Sequence, residues 1–395
     1  AAVLSCGLLW PNRKITVNLS PSNIRKVGAS LDLGIAVAVL VASEQLDAPS
    51  VEGFGFIGEL GLDGAVRPTD GVLPMVAGLD ARRVVVPTAD VGDARIGAGR
   101  RDVLGARQLG EVVQALSGDA PWPDTPLLAP SEEPRWPYDL AEVNGQPFAR
   151  RAVEVAAAGG HHLLLVGPPG AGKTMLAERL PTILPPLDDR TALEASCIRS
   201  VVGDRSGAAA LLRRAPFRAP HHTASLVSMI GGGTSALRPG EVTRAHGGVL
   251  FLDELGEFPP AVLDALRQPL EERVIRVSRA AASTTFPASF LLMAATNPCP
   301  CGFAPSLACT CGPAAVARYR RRLSGPLLDR FDLRLVVSAA GHREIVAGTA
   351  GESSAVVAAR VAEARVRAHA RGVTANAELS ASALRECTRL TDAAT

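Results

Sequence analysis

Gly167-Pro168-Pro169-Gly170-Ala171-Gly172-Lys173-Thr174 decides how this chain is read. The eight residues have the spacing G-x-x-x-x-G-K-[S/T], follow the stretch His162 to Val166, which reads as a buried strand, and lead into Gly172 to Leu180, which reads as a helix. A glycine-rich turn at that junction lets backbone N–H groups wrap phosphate oxygens, and a helix N-terminus favours their charge. In such a loop the lysine reaches the β and γ phosphates of a nucleotide and the hydroxyl after it ligates Mg²⁺. Only three of the 41 basic residues are lysines, Lys14, Lys26 and Lys173. A compact ammonium is not interchangeable with a guanidinium fork, so Lys173 stands out.

A loop of this kind needs a carboxylate to hold the metal and a group to polarise water, both at the end of a neighbouring strand. Val249-Leu250-Phe251-Leu252-Asp253-Glu254 has that form: four apolar residues for the strand, Asp253 to bind Mg²⁺ through water, Glu254 to polarise the attacking water. A second apolar stretch, Phe290 to Ala295, ends in Thr296-Asn297, where an amide can bond both the γ phosphate and the lytic water. Ser324 to Asp332 follows a basic helix carrying Arg318, Arg320, Arg321 and Arg322, and it contains Arg330. In ring ATPases an arginine at such a place enters the neighbouring subunit's site and neutralises charge in phosphoryl transfer.

Outward from these motifs, 395 residues imply two or three domains. An apolar fraction of 47% with 20% charged residues is that of a soluble globular protein, and it excludes a disordered, collagenous or disulfide-scaffold chain. The net charge of +2 neither demands nor excludes nucleic acid. The longest apolar run, Leu33 to Ala42, is far short of the roughly 20 residues that span a bilayer, so no membrane is expected. With no basic segment ahead of a hydrophobic one, and seven cysteines without a disulfide framework, the expected compartment is the reducing cytoplasm. A first residue that is Ala, not Met, suggests a fragment or a displaced start.

Six prolines between 118 and 138 mark a linker. Before it, residues 1–117 read as α+β, with strands at Lys14 to Leu19, Gly53 to Leu60 and Arg83 to Val86 and helices at Leu31 to Ala42 and Leu109 to Leu116. After it, residues 139–340 alternate strands and helices, which argues an α/β parallel sheet flanked by helices. Residues 341–395 read as helical, with Ser354 to Arg371 the clearest helix.

Three further features carry chemistry. Cys299-Pro-Cys301 and Cys309-Thr-Cys311 place four thiols within 13 residues, which suits a tetrahedral Zn²⁺ site or, alternatively, a redox or free-thiol cluster. Arg273-Val-Ile-Arg276-Val-Ser-Arg279, returning through Ser283 to Phe290, reads as a β-hairpin. Strand alternation puts Arg273 and Arg279 on one face and Arg276 on the other, and such a hairpin could hold DNA phosphates or simply be a solvated face. His221 and His222, between Pro220 and Thr223, read as loop contacts or DNA-facing groups in preference to metal ligands.

Taken together, the chain resembles a AAA+ ATPase of the magnesium-chelatase-like family, of the ComM or YifB type. The telling stretches are Ile15-Thr-Val-Asn-Leu-Ser-Pro, Gln146 to Gly159, Pro216-Phe-Arg-Ala-Pro-His221-His222-Thr-Ala-Ser225, Arg244 to Glu254, Asn297-Pro-Cys-Pro-Cys-Gly302 and Ser324 to Asp332. The resemblance implies Lys173 and Thr174 for phosphate and Mg²⁺, Asp253 and Glu254 for Mg²⁺ and hydrolysis, Asn297 as first sensor and Arg330 as a finger acting in trans. It also implies ATP and Mg²⁺ as cofactors and a homo-hexameric ring acting on DNA, with members of the family driving branch migration.

Family members usually extend before this N-terminus and end in a longer helical lid with a second sensor arginine. A chain stopping at Thr395 is therefore expected to have a short lid, and neither Arg385 nor Arg389 fits that sensor. Residues 1–117 resemble the proteolytic domain of Lon, but Asp32 stands where the serine nucleophile should be and Leu73 where the lysine should be. The expectation is an inert scaffold, despite Ser30 and Lys26 nearby. Alternative readings are a chelatase-type motor inserting metal into a porphyrin, a Lon-like protease, disfavoured by the missing dyad, and a scaffold that binds ATP without turnover.

Overall fold

Residues 1–20, 28–124, 136–205, 210–233, 237–279, 282–323, 325–338 and 351–387 are described by the computed structural model. Helix α1 (Asp32–Ala42) buries Leu33, Val37 and Leu40 beneath a small parallel sheet. That sheet and its helices run β1 (Phe54–Phe56), α2 (Val72–Gly78), β2 (Arg83–Pro87), α3 (Val91–Ala98), β3 (Asp102–Ala106) and α4 (Leu109–Ser117), with strand order β1-β2-β3. Helix α4 starts on a reciprocal cap between Gln108 and Glu111, which satisfies N–H groups that have no partner within the helix.

Two expectations are corrected in this region. The apolar stretch Gly53 to Leu60 is not one strand: Glu59–Leu60 leaves the sheet and pairs antiparallel with Val66–Arg67. Residues 14 to 19 form no ladder; with Trp10 and with Ile35 and Ala38 of α1 they line a cleft of about 840 Å³. Alternating Ile15, Val17 and Leu19 specify one apolar side of an extended chain, but a strand also needs a partner edge, and none is met among the described residues. Beyond α4 the chain turns at Gly118, and Trp122 packs on Phe54 with ring centroids 5.7 Å apart; residues 125–135 of the expected linker lie outside the described residues.

The larger sheet is built from α5 (Pro147–Gly159), β4 (Leu163–Val166), α6 (Lys173–Arg179), α7 (Asp189–Val201), β5 (Phe217–Arg218), β6 (Val249–Leu252), α8 (Arg267–Glu272), the hairpin β7 (Val274–Arg279) and β8 (Ala282–Pro287), β9 (Leu291–Thr296), α9 (Pro313–Arg322), α10 (Gly325–Leu328), β10 (Leu333–Val336) and α11 (Ser354–His369). Its five strands lie in the order β10-β4-β9-β6-β5, each neighbour pair parallel.

Successive side chains point to opposite faces. Leu163, Leu165, Val249, Phe251, Met293 and Ala295 therefore pack with α5, α6 and α11, while Leu164, Leu250, Leu252, Leu292 and Ala294 pack under the hairpin and Val262 to Leu266. A sheet covered on both faces demands continuous apolar strands, and each fully buried Leu, Val or Phe contributes roughly 2 kcal/mol. His162 sits just before β4 with its Nδ1 accepting the Leu292 N–H at 2.9 Å; burial holds its pKa down to about 4, which keeps the ring a neutral acceptor.

The two sheet regions touch through α2 and α7. Gly71 N–H donates to the Ser200 carbonyl at 2.9 Å, Leu73 N–H to the Ser200 hydroxyl at 3.3 Å, and Arg205 pairs with buried Asp90 at 3.3 Å.

The arginine hairpin forms as expected in pairing, with Arg276 opposite Thr285, Ile275 and Val277 buried, and Arg276 exposed. The placement of Arg273 differs. It lies before the strand in a left-handed conformation (φ 58°) that ends α8, and it pairs with Glu378 at 2.7 Å. The α8 helix runs directly into the hairpin, so the residue expected to open the strand is used as the helix stop. Residues 339–350 lie outside the described residues, whereas the expected helix from Ser354 is present as α11.

Candidate nucleotide site

Because parallel strands carry their loops at one end, the carboxyl ends of β4, β6 and β9 bring the sequence-predicted residues together, in the crevice where open α/β sheets place ligands. The loop after β4 turns on Gly170 and Gly172 with φ of 75° and 78°, a left-handed region that side chains disfavour. At Gly167 a Cβ would lie 2.2 Å from the Val337 carbonyl oxygen, so the chain just past β10 packs directly against the loop backbone. Within the loop the Ala171 N–H donates to the Pro168 carbonyl at 3.3 Å, and Gly302 lies against the Pro169 ring.

Lys173 opens α6 and is 8% exposed. Its Nζ donates to the carbonyls of Gly167 at 2.7 Å and Pro168 at 2.9 Å and to Asn297 Oδ1 at 3.2 Å. Burial holds this ammonium below the ordinary lysine range, with the charges of Asp253 and Glu254 pulling the other way. The Thr174 hydroxyl donates to Asp253 Oδ2 at 2.7 Å, and the second oxygen of Asp253 accepts the Glu254 N–H at 2.8 Å. Hydroxyl and carboxylate oxygens are the hard donors Mg²⁺ takes, and their convergence beside the loop fits that ion with a bound triphosphate. When bound, the ion supplies charge neutralisation between phosphate oxygens.

Glu254 has φ 51° and ψ 47°, a strained conformation for a side chain with a Cβ, at the turn out of β6. Its carboxylate pairs with His222 Nδ1 at 3.0 Å, and the His222 ring leans on His221 (centroids 4.1 Å) and meets Phe258 edge-on. A cavity of about 280 Å³ opens among Thr174, Phe217, Pro220, His222, Asp253 and Glu254. The sequence reading put His222 among loop or DNA contacts and so missed it. The one available signal was its position just past β5, which neighbours β6 in the sheet.

Arg330 lies in the turn after α10 and forms an ion pair with Glu271 of α8. It does not line the cavity beside Asp253 and Glu254. Asn297 directly follows β9, whose last residue, Thr296, meets the Tyr319 hydroxyl of α9 at 3.4 Å.

Next to Asn297 the four cysteines do converge. Sγ of Cys299 lies 3.4 Å from Cys301 and 3.8 Å from Cys309, Cys301 lies 3.6 Å from Cys309, and all four ligand atoms fall within 4.8 Å of one another. The Phe303 and Thr310 backbone amides pull the Cys301 thiol down to about 6. Cys311 is pushed up to about 11: the Cys301 N–H favours its thiolate, but the crowding Cys301 and Cys299 sulfurs outweigh that bond. Of the Lon-type positions, Asp32 is a half-buried residue at the start of α1, Leu73 is fully buried in α2, and Lys26 lies outside the described residues.

A doubly covered parallel sheet with this loop, strand-end carboxylates and an amide just past β9 is the arrangement of the AAA+ ATPase class. The family described as "Magnesium chelatase, subunit ChlI" matches residues 139–345, and that described as "Subunit ChlI of Mg-chelatase" matches residues 1–90. The uncharacterised protein Rv2897c of Mycobacterium tuberculosis is 45% identical over 406 residues, covering 100% of this chain and 79% of its own length. YifB of Escherichia coli, also uncharacterised, is 41% identical over 394 residues (99% and 77%), and the competence protein ComM of Haemophilus influenzae is 40% identical over 399 residues (99% and 78%). The chain belongs to the magnesium-chelatase-like family that includes YifB and ComM. Among the described residues no helix is long and apolar enough to cross a membrane.

Proposed function

We propose that this chain is a Mg²⁺-dependent ATP hydrolase that works as a homo-hexameric ring on DNA. The observation that carries the hydrolase reading is the convergence at three strand ends of two bonded pairs, Lys173 with Asn297 and Thr174 with Asp253, with Glu254 beside the second. In this reading Lys173 and the loop 167–172 grip the phosphates, Thr174 and Asp253 hold the ion, and Asn297 reports on the γ phosphate. Glu254 orients water once it leaves His222, and Arg330 leaves Glu271 to serve a neighbouring subunit's nucleotide. The four thiolates add a structural Zn²⁺. Residues 1–117, without a Ser–Lys pair at the Lon-type positions, act as a scaffold in the cytoplasm.

DNA is favoured by the relation to a competence protein and by the exposed Arg276 on the hairpin. Its partner Glu272 is a solvent-exposed neighbour on the adjoining helix, and such a pair is weak enough to be exchanged for phosphate. Arg273 is engaged with Glu378, so Arg276 and Arg279 carry the expectation. Changing both to Ala should weaken DNA binding about equally across sequences and flatten its salt dependence, leaving basal ATP hydrolysis intact.

A second reading, a motor for metal insertion into a porphyrin, follows from the description of the matched family. ATPase rates measured in parallel with forked DNA, four-way junctions, single strands and porphyrin decide between them. Stimulation by DNA alone supports the first reading, and stimulation by porphyrin with a partner subunit supports the second.

A further inference from the structure

We propose that Cys299, Cys301, Cys309 and Cys311 bind one tetrahedral Zn²⁺, and that the metal-closed loop is a strut holding the phosphate loop against the sensor strand. A Zn–S bond of about 2.3 Å makes the edge of a ZnS₄ tetrahedron about 3.8 Å. The sulfurs of Cys299, Cys301 and Cys309 lie 3.4, 3.6 and 3.8 Å apart. A disulfide would need about 2.05 Å. A multi-iron cluster, with inorganic sulfide between its metals, would spread the thiolates further than the 4.8 Å within which all four lie.

The backbone is arranged for thiolates as well. Ala304 N–H donates to Cys299 Sγ at 3.3 Å and Cys301 N–H to Cys311 Sγ at 3.4 Å. Such outer-shell bonds orient sulfur ligands and offset their negative charge.

The place of the cluster gives it consequence. Cys299 is two residues past Asn297, and Cys311 is two residues before α9. Between the cysteine pairs, Gly302 (φ 85°) approaches so closely that a Cβ would sit 2.5 Å from Pro169 Cδ. One ion would thus fix three things at once: the end of β9 that presents Asn297 to Lys173, the contact of Gly302 with Pro169, and the start of α9. That helix in turn meets Thr296 through Tyr319 and Glu257 through Arg322 at 2.9 Å.

The metal arm is independent of any nucleotide. Protein purified without chelator should contain about one zinc per chain by elemental analysis. Replacement by Co²⁺ should give the visible bands and thiolate charge transfer of a tetrahedral S₄ site, and Cys309→Ser should lose both. Zinc near zero, with four thiols reacting freely in the folded protein, overturns the site.

The strut rests on the nucleotide reading and is measured separately, by titration with a fluorescent ATP analogue. Cys309→Ser should weaken binding about tenfold. Gly302→Ala should keep its zinc, since no sulfur ligand changes, yet also weaken binding, because its Cβ would push on Pro169 and is disfavoured at φ 85°. If Cys309→Ser does not fold, zinc is stripped from the intact chain and restored, and affinity should fall and return with it. Unchanged affinity after metal loss overturns the strut, whereas a zinc-loaded wild-type chain that binds no nucleotide counts against the nucleotide reading and leaves the metal site standing.

Discussion

The phosphate side and the water side of the site are held in different ways. On the phosphate side, Lys173 is bonded to Asn297 and Thr174 to Asp253, two pairs that tie the loop after β4 to the ends of β9 and β6. On the water side, Glu254 is bonded to His222, and Arg330 to Glu271 of α8. The binding groups are assembled within one chain; the groups proposed for turnover are each engaged by a partner they would have to leave. Binding and turnover should therefore respond to different substitutions.

The largest separation comes from Lys173→Ala. Removing the one buried ammonium in the loop should lower nucleotide affinity on the order of 100-fold or more, and hydrolysis should vanish with it. Titration with a fluorescent ATP analogue reads this directly. Retained affinity would mean that the phosphate side is not organised around Lys173.

Arg330→Ala should leave nucleotide affinity nearly unchanged and reduce turnover by roughly 1,000-fold, the scale at which arginine fingers act. Mixing it with Lys173→Ala subunits should restore hydrolysis, because each supplies what the other lacks. Absence of recovery in verified mixed assemblies would place Arg330 outside the reaction.

A smaller effect is expected at His222, whose bond to Glu254 competes with water for the same carboxylate. His222→Ala should raise the basal rate about threefold by freeing Glu254, and DNA should then stimulate the enzyme less. A basal rate that falls would show that His222 positions Glu254 instead of restraining it.

The same contrast explains what could be read from the sequence. Phosphate binding demands particular residues at fixed spacing, so Gly167 to Thr174, Asp253 and Asn297 were legible, and continuous apolar runs gave β4, β6 and β9 almost to the residue. The four cysteines were legible as a group for the same reason, since a metal fixes both ligand type and spacing. The His222–Glu254 bond was not, because it depends on which strand lies beside β6, and two loop histidines carry no mark of their partner. Around the small sheet, periodicity found α1, β2 and α4 but assigned residues 14 to 19 to a strand. Alternation records which side of the chain is apolar and leaves the pairing edge unspecified. Arg273 was misplaced for a related reason: a helix stop and a strand start compete for one residue, and α8 took it.

Glu254→Gln tests the proposed division between binding and turnover most directly. Nucleotide titration and single-turnover hydrolysis on the same preparation should show ATP bound as tightly as by the wild type, since Lys173, Thr174 and Asp253 keep their contacts. Cleavage should be slowed at least about 100-fold, because an amide cannot polarise water as the carboxylate does. Cleavage at the wild-type rate would contradict the role given to Glu254, and lost binding would contradict the separation of the two sides.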